Sequence, residues 1–369
     1  MDKTKLCIIY NFAQLYREPI FTLINHNWDC KWFFGKTDTD IKEMNTDLLN
    51  NVSFVENKKL MKIFQTQKGI GNIIRNKNIT SILMLGEPMV LSSWWILLQR
   101  RLLYRNKRVY LWTHGWYGRE GFLKKWLKRA FFGMSDHVFT YGEYAKNVAI
   151  SQGFNREKIT PIHNSLNHAA QVILRKELSS SDIYTRHFNN SNPVIVFIGR
   201  LTKVKRLDLL LHAIYSLKKQ GKHYNLTLIG AGEEMESLKA LTKKLRLENQ
   251  VWFYGSCYDD NKNAQLIYDA NVCVAPGNVG LTAMHTMVFG TPVITHNDFS
   301  WQMPEFEAII DGETGTFFNK DDVEDMAKTI DKWIESHPNR DAVRRSCYHE
   351  IDTRWSPEYQ LEILKSQIK

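Results

Sequence analysis

The segment from Val274 to Ile294 constrains the fold most. An apolar run ending at Ala275 meets a turn holding Gly277 and Gly280. A helix pattern then starts at Leu281, is closed by Gly290 and Pro292, and gives way to the next apolar run at Val293. Strand, turn, helix and strand in 21 residues make a β-α-β unit, whose two strands are parallel. A glycine turn that runs straight into a helix start leaves unpaired backbone N–H groups and the positive end of the helix dipole at one point, which suits a phosphate. Thr282 adds a hydroxyl there. Plain scaffolding has the same outline, so spacing alone does not separate the two.

A second anion-ready loop lies upstream. The apolar run Val194–Ile198 ends in Gly199-Arg200, and Arg200, Lys203, Lys205 and Arg206 place four basic residues within seven positions. A helix follows, with Leu207, Leu210, Leu211, Ile214 and Leu217 on one face. Arginine binds two phosphate oxygens at once and lysine supplies a compact charge. Arg206 reads as solvated surface. Gly199 and Arg200 sit where parallel-sheet folds bind ligands, at the carboxyl end of a strand.

Together these segments resemble family 4 of the glycosyltransferases, retaining enzymes of the two-Rossmann GT-B architecture. That pattern has Gly-Arg-Leu and a Lys four residues after the Leu, matched by Gly199, Arg200, Leu201 and Lys205. It continues with a strand ending in Gly230 and Gly232, and a hydrophobic strand ending in Gly255. The stretch from Leu281 to Ile294 and then Glu307–Gly315 complete five motifs in order.

The resemblance implies an α/β chain of two Rossmann-like domains facing each other across a cleft, with the last helix crossing back to the first domain. It implies a nucleotide diphosphate sugar, UDP- or GDP-linked, held by Gly199, Arg200, Lys205, Gly230, Gly232, Gly255, Asn278, Gly280, Leu281, Thr282, His285 and Glu307. The sugar would pass with retention of configuration to a hydroxyl of a glycan or lipid-linked acceptor, in assembly of a bacterial capsule, O-antigen or exopolysaccharide. No metal or other cofactor is implied. Departure of the diphosphate builds negative charge, which Arg200, Lys205 and the turn at Gly280–Thr282 would stabilise.

One departure from the family stands out. Two glutamates eight positions apart, the first on the donor sugar and the second on the ribose, fall here on Gly277 and His285. A histidine can still hydrogen-bond a ribose hydroxyl. A glycine cannot replace a carboxylate, so either sugar recognition passes to a neighbour such as Asn278, Glu305 or Glu307, or the protein no longer transfers sugar.

With 369 residues the chain accommodates two medium domains. Apolar runs at Leu6–Tyr10, Trp32–Phe34, Ser81–Leu85, Val109–Thr113, His137–Thr140 and Ile159–Ile162 alternate with helical patterns, as in a doubly wound parallel sheet. The expected boundaries are an acceptor-binding domain over 1–174, a polar linker over 175–192, a donor-binding domain over 193–350, and a returning helix over 351–369. Residues 1–180 hold 27 Lys and Arg against 14 Asp and Glu, and the remainder 22 against 25, so the net charge of +10 comes wholly from the first half. Two stretches there, Leu97–Arg108 and Phe122–Phe132, mix large apolar with basic side chains, which suits an anionic membrane surface. The alternative is that the apolar side faces the core. Five scattered cysteines form no Cys-x-x-Cys, pointing to a reducing compartment and no structural zinc. No leader is expected before the first strand, and no apolar run reaches membrane-spanning length. A cytoplasmic protein, peripheral on the inner membrane face, is expected.

In the first half, His114 follows the strand Val109–Thr113 and is the first choice for a group beside the reacting sugar, as the resembling enzymes have it. Asn11 and Arg17 follow the first strand on the acceptor side. Asp38-Thr39-Asp40 is set aside as a chance match to a metal-binding Asp-x-Asp. Three rivals remain: a GT-B nucleotide-sugar epimerase, for which no acid/base pair is evident; a non-catalytic nucleotide-sugar-binding partner protein; and nucleic-acid binding, which rests on charge alone. Nucleic acid is not an expected partner.

Overall fold

A computed structural model describes residues 5–37, 42–60 and 63–368. Asp38-Thr39-Asp40 lies outside them. The chain divides into two units, Met1–Asn167 with Ser356–Lys369, and His168–Trp355.

In the first unit the parallel strands β1 (Lys5–Tyr10), β2 (Asp29–Phe34) and β3 (Val52–Phe54) are followed by a separate antiparallel hairpin, β4 (Asn57–Leu60) and β5 (Phe64–Gln67). The sheet continues with β6 (Ser81–Leu85), β7 (Arg108–Thr113), β8 (His137–Thr140) and β9 (Ile159–Pro161), in the order β3-β2-β1-β6-β7-β8-β9. Both faces are covered, which the side-chain alternation of β1 records. Leu6, Ile8 and Tyr10 enter one core, and Cys7 and Ile9 the other. β3 and the hairpin have no counterpart among the sequence-derived strands, because Val52–Gln67 is polar and broken by lysines.

The second unit has β10 (Val194–Ile198), β11 (Asn225–Ile229), β12 (Val251–Gly255), β13 (Val272–Ala275), β14 (Val293–His296) and β15 (Gly315–Phe318), ordered β12-β11-β10-β13-β14-β15. All neighbours are parallel. The helix Leu207–Lys219 buries the apolar face read from its periodicity.

The second unit is longer at both ends than expected, taking in 168–192 at its start and running to Trp355 rather than 350. The polar stretch 175–192 belongs to the second unit, where the helix Ile183–Phe188 buries Tyr184 and its hydroxyl donates to Leu266 O at 2.7 Å. One buried tyrosine converts a linker-like composition into packed structure. The final helix, Pro357–Gln367, belongs to the first unit and lies against the helix Glu18–Asn27. Its Ser356 cap accepts from Tyr359 N, and Leu361, Leu364 and Ile368 join the core around β1. Each such leucine contributes about 1.5–3 kcal/mol of burial.

Candidate functional site

Strand order reverses between β10 and β13, since β10 leads outward to β11 on one side and β13 to β14 on the other. Such a switch point opens a crevice at the carboxyl ends of the two strands. The two loops singled out by sequence leave from those ends, and the structure stitches them together. Thr282 Oγ1 donates to Ile198 O at 2.9 Å, Gly277 N to Lys205 O at 3.0 Å, and Lys205 Nζ to Asn278 O and Oδ1 at 2.8 Å each. Gly280 completes the cluster, because a Cβ there would stand 3.9 Å from Lys205 Nζ.

Burial pushes the Lys205 ammonium down to about 8, with Glu305 acting to raise it and Arg200 to lower it further. Arg200 is exposed at its strand end. Two cations that act on one another in this way repel and favour an anion that both can share. Glu305, buried in the 3-10 turn Pro304–Ala308, is the carboxylate that acts on Lys205; Glu307 is half-buried in the same turn.

The helix start is weaker than its sequence suggests. The helix spans only Thr282–Met287, so its dipole is small. The Thr282 hydroxyl pins the helix to β10. Leu281 is its N-cap and supplies backbone only. His285, half-buried, is held below its ordinary value by burial and is therefore neutral near pH 7. Sequence reading missed Gln302, which accepts from Val279 N at 2.9 Å and donates to His296 O at 3.0 Å, fixing the turn from below.

Four glycines have structural reasons that differ from ligand contact. A Cβ on Gly230 would stand 1.9 Å from Gly199 O, and one on Gly232 2.3 Å from Leu201 O. Both let the loops after β10 and β11 touch through backbone, including Leu201 N to Ala231 O at 2.9 Å. Gly255 has open space but a left-handed φ of 83°. Gly277 is as confined as Gly230: a Cβ would meet Val204 O at 1.9 Å. The position where the resembling family has a glutamate admits no side chain here.

In the first unit, Asn11 is held by the loop itself, its Oδ1 accepting from Gln14 Nε2 at 3.0 Å and its O from Asn57 Nδ2 at 2.7 Å. Arg17 is buried among aromatic rings, with its guanidinium 4.9 Å from Trp112, 5.1 Å from Tyr10 and 5.3 Å from Tyr141. His114 lies 4.7 Å from the Tyr141 ring and is half-buried. Burial, with the charge of Arg17, pushes its imidazole down to about 4, so it is neutral at pH 7. The loop after it is latched by Glu120, unnoticed in the sequence, which accepts from Tyr117 N, Gly118 N and Lys128 Nζ.

The basic stretches split. In the helix Phe122–Gly133, Phe131 and Phe132 are buried, but Phe122, Leu123 and Trp126 are 82%, 79% and 64% exposed, beside exposed Lys124 and Lys125. The other helix is Leu91–Leu102, with Trp95, Leu98 and Leu102 exposed; Trp94 packs on Phe131 at 5.0 Å, so the two are neighbours. Arg100 pairs with Asp136 and Lys107 donates to Ile79 O, so part of the charge of Leu97–Arg108 is spent inward. Among the described residues no helix is long and apolar enough to cross a membrane, and no group of three His, Cys, Asp or Glu is placed to hold a metal.

Two Rossmann-like units with these topologies define a protein of the GT-B class. The structure of Anabaena Alr3699/HepE with UDP matches with a TM-score of 0.75 at 15% identity, covering 98% of this chain and 99% of that one. A glycosyltransferase of Rickettsia africae ESF-5 matches equally, TM-score 0.75 at 15% identity, over 100% of both. Residues 183–349 match the family model for glycosyl transferases group 1. An uncharacterized glycosyltransferase of Haemophilus influenzae is 29% identical over 150 residues, 39% of this chain and 40% of that protein. The capsular polysaccharide biosynthesis glycosyltransferase CapM of Staphylococcus aureus is 26% identical over 193 residues, 48% of this chain and 46% of that protein. The chain thus aligns with less than half the length of either relative.

Proposed function

We propose that this protein is a retaining, metal-independent glycosyltransferase that moves a sugar from a nucleotide diphosphate sugar to a hydroxyl of a glycan or lipid-linked acceptor in bacterial surface polysaccharide assembly. The observation that carries the reading is the gathering of Lys205, Arg200 and Gly280 at the switch point between β10 and β13. A diphosphate is the ligand that such a cationic crevice suits. UDP is the favoured carrier, because the structural neighbour Alr3699/HepE was solved with UDP and with UDP-glucose. Surface polysaccharide is favoured by the likeness to CapM.

In this reading Lys205 and Arg200 neutralise the departing diphosphate. The leaving phosphate takes the proton of the attacking hydroxyl on the same face. Neutral His114 hydrogen-bonds the transferring sugar, Asn278 and Glu307 or Glu305 read its hydroxyls, and His285 holds the ribose. Asn11 and Arg17 belong to the acceptor side. The exposed Phe122, Leu123 and Trp126 among lysines support docking on the anionic inner face of the membrane.

Gly277 motivates a second reading, a nucleotide-sugar-binding partner without turnover, since its closed backbone leaves no room for a sugar-binding carboxylate. The deciding experiment is a thermal-shift panel of UDP, GDP, dTDP, CMP and their sugars on wild type and Arg200→Ala. Stabilisation by one diphosphate, lost in the variant, is expected. Absence of any shift would overturn the donor site; a shift without sugar turnover would favour the partner reading.

A further inference from the structure

The carboxyl edge of the first unit's sheet holds a group of buried polar atoms that the fold itself does not use. The hydroxyls of Tyr10 and Tyr141, Trp112 Nε1 and His114 Nδ1 are all buried and make no hydrogen bond to described residues. The four side chains form one chain of neighbours. Tyr10 and Trp112 rings lie 6.3 Å apart, Trp112 and Tyr141 6.0 Å, and Tyr141 and His114 4.7 Å, with the Arg17 guanidinium against the first three. A buried polar atom without a partner is destabilising, and four on adjoining side chains call for another group to pair with them.

The chemistry of that group follows from the atoms. An indole N–H only donates, so the partner of Trp112 must accept. Burial raises the Tyr10 hydroxyl far above its ordinary value, so it stays protonated and able to donate. His114 Nδ1 is buried while the residue as a whole is half-buried, so His114 links this group to the surface. Arg17 adds a fixed positive charge to this donor-rich wall. Several acceptor oxygens carrying negative charge satisfy all four atoms; a neutral hydroxyl satisfies one or two.

We propose that Tyr10, Arg17, Trp112, His114 and Tyr141 form an oxyanion pocket that binds a carboxylate or phosphate carried by the acceptor, so that the acceptor is an acidic glycan. The assignment to the acceptor rests on the glycosyltransferase reading above. The pocket itself rests on the unpartnered donors and lies wholly within the first unit.

The test is a ligand-observed NMR titration of the full chain with glucuronic acid, glucose 6-phosphate and glucose at constant ionic strength, alongside UDP. At least one anion is expected to bind ten-fold or more tightly than glucose. Binding of glucuronic acid alone assigns a carboxylate, and of glucose 6-phosphate alone a phosphate. Tyr141→Phe and Tyr10→Phe each remove one donor and keep the ring. Each is expected to weaken the anion about five- to ten-fold, with glucose and UDP unchanged. Equal affinity for glucose and both anions overturns the pocket, as does unchanged anion binding in both variants with UDP binding intact. If the anions bind as expected but UDP does not, the pocket stands and the donor reading fails; UDP binding without anion selectivity gives the reverse.

Discussion

Gly277→Ala is the substitution whose cost the geometry defines best. Its methyl would stand 1.9 Å from Val204 O and 2.9 Å from Lys205 Cα. Reaching even a tight 3.0 Å contact requires the two loops to part by about 1.1 Å. The bond from Gly277 N to Lys205 O, now 3.0 Å, would then exceed hydrogen-bonding distance. Overpacking costs about 1–3 kcal/mol, and the lost hydrogen bond about 1 kcal/mol, so the local penalty is about 2–4 kcal/mol. Gly255→Ala is the matched comparison. Its Cβ meets nothing within 4 Å, but φ is 83°, so only backbone strain of about 1–2 kcal/mol applies. Hydrogen-exchange mass spectrometry reads the difference peptide by peptide, without assuming that the two units unfold together. Protection in peptides spanning 200–210 and 272–290 is expected to fall on the order of a hundred-fold in Gly277→Ala. UDP affinity falls with it, because the same movement displaces Lys205. A Gly277→Ala protein that exchanges like wild type, or loses less protection than Gly255→Ala, would refute the steric argument.

Three further outcomes are expected. With Lys205 held near 8, UDP affinity should fall about ten-fold as pH rises from 7 to 9.5 and the ammonium deprotonates, while the permanently charged Lys205→Arg keeps a flat profile; the same decline in Lys205→Met would assign it to another group. Burial pushes the Asp352 carboxyl up, but hydrogen bonds from His168 and Arg175 outweigh it and hold it at about 2. Its stabilising contribution is therefore present above the ordinary carboxylate value and lost as pH falls through about 2. Because the group is about a third exposed, Asp352→Asn should loosen the helix His168–Glu177 by only about 1 kcal/mol at pH 7 in hydrogen exchange, with the gap to wild type narrowing below about pH 4. Replacing Phe122, Leu123 and Trp126 together by serine should lower sedimentation with phosphatidylglycerol vesicles at least ten-fold. Unchanged binding would locate any membrane contact elsewhere.

The motifs were legible in the sequence wherever they are local. Apolar runs of four to six residues, glycines at the ends of β10, β11 and β12, and the 3.6-residue face of Leu207–Lys219 all arise from neighbours in the chain. Those features determined the α/β class, the parallel sheets and the two anion-ready loops. Tertiary structure decided what each residue faces. β10 neighbours β13 across an intervening pair of strands, and only that adjacency makes Lys205 and Gly280 one site. Glycine is the same letter whether it gives φ freedom, as Gly255 does, or lets two backbones touch, as Gly230 and Gly277 do. The periodicity of Phe122–Gly133 reads alike with Phe122 and Trp126 in the core or in solvent, and the structure places them in solvent. The surroundings of Arg17 come from residues 10, 112 and 141, so no local pattern records them. Hydrophobic period and turn chemistry act over a few residues, whereas partners, burial and electrostatic coupling arise from contacts between residues far apart in the chain. The sequence by itself therefore determined which elements form, and tertiary packing alone determined which of their side chains meet.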